Sequence, residues 1–248
     1  MSSARRHILI ALDMHSATDA GLSTLVSIAR RLDATLSGLY IEDSQLMSAA
    51  GLPFSTEINY LSAEERILDP EELLRINRLA SAQARHLLEE LSARDKLECT
   101  FAVESGKVAI QSLSIQGCDV FLPGRSRKSL TRKQVTLQLR QLVLIYENSG
   151  IFERMLEVAR LLAANGMVSD ITIVSETPLP AEITGKLSIE DVRWHFQAVS
   201  STRPEQLRAL RLNSASLVLM PKDLLTNLTE RQWFELLEQL PFPLLLMD

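Results

Sequence analysis

Cysteine is scarce in this sequence. Two occur in 248 residues, Cys99 and Cys118, and neither belongs to a CxxC pair or a Cys/His cluster, so no zinc or other metal site is suggested. Both sit in or beside apolar, strand-like runs, where a reduced core thiol is the ordinary expectation. Long apolar stretches are also missing: nothing approaches the roughly 18 residues of a membrane span. The N-terminal MSSARRHILIALD has two arginines, but its apolar run is broken by Asp13 and is too short for the core of a signal peptide. A cytoplasmic protein without a membrane partner is expected. Positive charge is not in excess, since the formal net charge is −5. A general nucleic-acid binder needs a broad positive surface to displace counterions, so nucleic acid is not an expected partner. Catalytic signatures are missing as well. No serine sits in a G-x-S-x-G turn. Gly106-Lys107 has Phe101 where a phosphate-binding P-loop needs its first glycine and Val108 where it needs Ser or Thr. The histidines (His7, His15, His86, His195) are scattered, and no acid, base and nucleophile are grouped, so no catalytic role is expected.

What the chain does have is a rhythm. Hydrophobic residues make up 46% and charged residues 23%, enough to build a substantial core. HILIAL (7–12) is a short, nearly continuous apolar run ending at Asp13, the pattern of a strand covered on both faces. Ser16 or Thr18 caps a helix whose apolar face is Leu22, Leu25, Val26, Ala29 and Leu32, with Arg30 and Arg31 at its end. A second strand, 36–41, closes at Glu42-Asp43, completing a β-α-β unit. Residues 44–68 interrupt the alternation and read as an inserted loop, with Met47, Leu52, Phe54 and Tyr60 available to cover a cleft or a partner. Asp69-Pro70-Glu71-Glu72 starts a long amphipathic helix reaching about Ser92. A strand over 97–103, a helix from Gly106 and a strand over 120–122 follow.

The centre of the chain is DVFLPGRSRKSLTRK (119–133), a buried strand that breaks at Pro123-Gly124 into a basic loop. The pattern then begins again. LVLIYE (142–147) matches HILIALD, a capped helix follows, and SLVLMPKD (216–223) matches DVFLPGRS. Strands over 170–174, 192–199, 217–220 and 243–247 and a helix capped by Thr229 complete the second half. Alternating β and α units in tandem predict an α/β protein of two doubly wound, Rossmann-like parallel-sheet domains, 1–139 with the insertion and a smaller 140–248. The first half stops one strand short. Unless Val135 to Leu139 supplies that strand, an exposed edge is left to pair with another molecule, and a homodimer is expected.

Five segments carry a family resemblance: HILIALD with its helix, LSGLYIED, GKVAIQSL, DVFLPGRS and the closing ELLEQLPFPLLLMD. In this order, over nearly the whole chain, they resemble the universal stress protein family in its tandem two-domain, bacterial form. GLPFSTEI looks like the inserted loop of some long bacterial members. The resemblance implies a cytoplasmic stress-response or signalling protein. Most members dimerise, and tandem forms build the pair inside one chain. Some hold ATP or AMP between the acid ending the first strand and a glycine loop after the fourth, and others bind no nucleotide. Asp13 matches that acid, and Ile41 the position whose backbone meets the base. The family's ATP loop runs glycine, two residues, glycine, nine residues, glycine, then Ser or Thr. Here Gly124 fits the first place, while Arg127, Leu137 and Gln138 stand at the others. Arg125, Ser126 and Ser129 remain able to contact an anion. In the second half Glu147 replaces the aspartate and Lys222 the glycine, so no nucleotide is expected there. The favoured expectation is a protein that acts through contacts with an unidentified protein partner, with no cofactor and no complete ATP site. The alternative is a sensor holding ATP, AMP or another anion in the first-domain cleft.

Overall fold

A computed structural model describes residues 6–14, 19–58, 63–106, 116–124, 139–147, 149–187, 192–202, 207, 210, 212, 215–239 and 242–248. Several expectations fall outside these residues: the caps Ser16 and Thr18, His15, Tyr60, the helix after Gly106, the basic loop from Arg125 to Lys133, and Val135 with its neighbours as far as Gln138.

The alternation read from the sequence is present. β1 (His7–Leu12), α1 (Asp19–Arg31) and β2 (Thr35–Asp43) form the first unit. The insertion folds into α2 (Ser44–Ala50) and a hairpin of β3 (Thr56–Ile58) and β4 (Glu65–Ile67). Asp43, unassigned in the sequence reading, is the α2 cap, its Oδ1 accepting from Gln45 N at 2.8 Å and Leu46 N at 3.1 Å. The insertion holds apolar side chains out: in the turn after α2 Leu52 is 63% and Phe54 94% exposed, and on the hairpin Ile58 is 69% and Ile67 77% exposed. Among the described residues, Leu52 and Phe54 therefore cover no cleft. α3 (Pro70–Arg94) starts where expected, with Asp69 Oδ1 accepting from Glu71 N at 2.9 Å. β5 (Cys99–Gly106) and β6 (Asp119–Leu122) complete the described strands of the first half.

The second half contains β7 (Gln141–Tyr146), α4 (Ser149–Ala164), β8 (Asp170–Ser175), a short α5 (Ala181–Thr184) and β9 (Arg193–Ala198). β10 (Ser216–Pro221), a short α6 (Asp223–Thr226), α7 (Glu230–Gln239) and β11 (Leu244–Met247) follow. The α7 start is a capping box, in which Gln232 Oε1 accepts from Thr229 N at 2.9 Å and Thr229 Oγ1 at 2.8 Å.

The strands of both halves join in one nine-stranded sheet, ordered β5-β2-β1-β6-β11-β10-β7-β8-β9. Every pair in it is parallel except β6 with β11, which run antiparallel with Leu122 opposite Leu244 and Val120 opposite Leu246. The edge of β6 is thus filled by β11 of the same chain. This corrects the expectation of an exposed edge there and removes the reason given for a homodimer. Among the described residues, the sheet ends at β5 and β9.

The central strands of the sheet, β1, β6, β11, β10 and β7, are buried on both faces, as their unbroken apolar runs require, while the outer β5 and β9 are largely exposed. Ile8, Ile10 and Leu12 pack with Leu22 and Leu25 of α1, Leu88 of α3 and Met155 of α4. Leu9 and Ala11 point the other way, into a second cluster with Trp233, Leu236 and Phe242. Each fully buried aliphatic side chain contributes about 1.5–3 kcal/mol, so the central strands hold the two halves together. No helix among the described residues is long and apolar enough to cross a membrane.

Candidate functional site

In an open parallel sheet, ligands gather beyond the carboxyl ends of the strands, where connecting loops diverge. β1 pairs in parallel with both β2 and β6, with Leu12 opposite Tyr40 and Ile10 opposite Phe121. Continued residue by residue, these registers bring Asp13 level with Ile41 on one side and Gly124 on the other. Three of the six residues singled out in the sequence therefore lie at the carboxyl ends of three adjacent strands: Ile41 within β2, Asp13 just past β1 and Gly124 two residues past β6. The other three, Arg125, Ser126 and Ser129, lie outside the described residues.

Asp13 is half-buried at the end of β1. Its field and that of Glu42 reach Tyr40, whose phenol is pushed up to about 12, first by burial and then by these two carboxylates. The Tyr40 hydroxyl donates to Asn77 Oδ1 at 3.3 Å, and Asn77 Nδ2 donates to Met47 Sδ at 3.8 Å. This buried relay ties the floor of the edge to α3 and α2.

Gly124 has a packing reason of its own. A Cβ added there would lie 2.5 Å from the carbonyl carbon and 2.8 Å from the nitrogen of Phe242. The approach is possible only without a side chain, and it lets the segment entering β11 cross the loop leaving β6.

The same edge of the second half is acidic. Burial raises the Glu147 carboxyl, and the carboxylates of Asp223 and Glu176 raise it further. Glu176 Oε1 accepts from Thr202 N at 2.5 Å and Thr202 Oγ1 at 2.8 Å. Lys222, at the position of the missing glycine, is buried.

Sequence reasoning missed a polar clasp at the opposite end of the β6–β11 joint. Asp119, only 1% exposed, meets Arg6 Nη1 at 3.3 Å and Arg154 Nη2 at 3.6 Å. Asp248 N donates to its Oδ1 at 3.5 Å, Gly117 N donates to Asp248 Oδ2 at 2.7 Å, and Arg154 also donates to the Asp248 carbonyl. Burial pushes the Asp119 carboxyl up, against the opposing pull of both arginines. The single signal for it was an acid at the start of an otherwise apolar strand. Cys118 beside it is buried, Cys99 is half-buried, and burial raises both thiols, which keeps them protonated and weak as nucleophiles. Among the described residues no group of His, Cys, Asp and Glu is placed to hold a metal ion.

No family model matches the sequence, and no curated protein matches it at a significant level. Solved structures do match. A universal stress protein from Archaeoglobus fulgidus covers 97% of this chain and 95% of its own at 11% identity, with a TM-score of 0.50. A universal stress protein family member from Burkholderia pseudomallei covers 81% of this chain and all of its own at 14% identity, with a TM-score of 0.26. A functionally unknown protein from Pseudomonas aeruginosa covers 98% and 92% at 11% identity, with a TM-score of 0.41. At such identities the likeness is one of fold, and it rests on the first of these structures. The chain has the Rossmann-like α/β fold of universal stress proteins.

Proposed function

We propose that this chain is a tandem member of the universal stress protein family that acts in stress response or signalling through protein contacts, without catalysis and without a complete ATP site. The observation that carries this reading is at Gly124. The one glycine surviving from the family's ATP loop stands against the Phe242 backbone, so packing gives a reason for it that needs no ligand. The tandem form is supported by strand order. Each half contributes a run of parallel strands, and the two runs meet at an antiparallel joint, an arrangement in keeping with two like units in one chain. Protein contact is supported by the insertion, where Leu52 and Phe54 in the turn after α2 and Ile58 and Ile67 on the hairpin face solvent.

A second reading, a sensor for ATP or AMP, is favoured by the alignment of Asp13, Ile41 and Gly124 across three neighbouring strands. Analysis of nucleotide released from freshly purified protein separates the two. The first reading expects none, and stoichiometric ATP or AMP, absent from the Asp13→Ala variant, would establish the second.

A further inference from the structure

A cleft of about 670 Å3 opens at the other edge of the sheet, by the amino ends of the strands, between α1 and the start of the second half. This is the size range of small-molecule pockets, which span roughly 300–1,000 Å3. Its lining is not the usual apolar one. Arg30 from α1, Arg94 from the end of α3 and Arg140 from the entry to β7 all reach it, against one carboxylate, Asp95. Asp95 is occupied, accepting from Arg30 Nη1 at 2.9 Å. Arg94 and Arg140 have no ion-pair partner among the described residues. Ser23 and Ser27, four residues apart on α1, line the same space. The two walls are linked beside the cleft, where Arg31 Nη1 donates to Asn165 Oδ1 at 2.8 Å and so connects α1 to the end of α4.

We infer that this cleft binds a small phosphorylated molecule. Three guanidiniums against one carboxylate leave two positive charges in surplus, which matches a dianion. Guanidiniums only donate, and phosphoryl oxygens only accept, in several directions at once, so the lining and the ligand are complementary in charge and in hydrogen-bonding role. The arginines come from three separate elements and both halves of the chain, so an anion seated here draws the halves together. The site shares no residue with the edge at Asp13 and does not depend on whether a nucleotide binds there.

Calorimetric titration of the full chain with sodium pyrophosphate in low-salt buffer tests this, with inorganic phosphate and citrate as comparisons. Saturable one-to-one binding of pyrophosphate is expected, weaker for phosphate and for citrate, and declining with added salt. Arg94→Gln and Arg140→Gln are each expected to weaken pyrophosphate by about tenfold or more. Both side chains are exposed, so the variants should fold, and unchanged melting curves confirm that they do. Absence of saturable binding overturns the proposal. So does an affinity unaltered in both variants, binding lost instead in Asp13→Ala, or citrate binding as tightly as pyrophosphate.

Discussion

At Gly124 the lack of a side chain lets the segment before β11 cross the loop after β6 at contact distance. The obstacle to a larger residue is backbone rather than the end of a mobile side chain, so Gly124→Ala must push Phe242 and its strand aside. Overpacking of this kind costs about 1–3 kcal/mol, and urea denaturation should show the loss with no ligand present. A glycine kept only for a phosphate would tolerate alanine in the free protein. Tyr40 marks the same edge electrostatically. Free tyrosine titrates near 10, whereas Tyr40 is pushed up to about 12. Its folded value lies above its unfolded value, so the native state holds its proton longer, and stability falls as pH rises between these values. Roughly 2–3 kcal/mol is at stake. Tyr40→Phe should flatten that alkaline loss of stability, and a slope unchanged in the variant would mean that other groups cause it.

The elements themselves were legible where one physical pattern fixes them. β1, β7 and β10 are short apolar runs buried on both faces, and Asp69-Pro70 and Thr229 mark helix starts by satisfying free backbone N–H groups. The β3–β4 hairpin was illegible because its outward apolar residues carry no core pattern. The joint between β6 and β11 was illegible for a different reason: a strand buried on both faces looks the same whichever direction its neighbour runs. The clasp on Asp119 closes one end of that joint, yet its partners Arg6 and Asp248 lie 113 and 129 residues away in sequence. Because burial outweighs the arginines, ionising Asp119 opposes folding on balance. Its contribution is full below the ordinary aspartate range and is lost as pH rises through its folded pKa. Asp119→Asn, which keeps shape and removes charge, should therefore gain in melting temperature relative to the parent as pH is raised from about 4 to neutrality. A relative loss over the same interval would show that the arginines, not burial, dominate.

On the scale of the whole molecule, the repeat read from the sequence becomes a single sheet with an antiparallel seam at its centre. The placement of the candidate residues was legible as far as the strands reach. Parallel register carried past the ends of β1 and β6 sets Asp13, Ile41 and Gly124 level with one another. What the register cannot show is that Phe242, from the far end of the chain, already occupies the space against Gly124. Titration of ATP into the parent protein and Asp13→Ala is the direct test of this account. It predicts the same isotherm for both, with no component that depends on Asp13. A saturable ATP site present in the parent and lost in the variant, with folding intact, would contradict it.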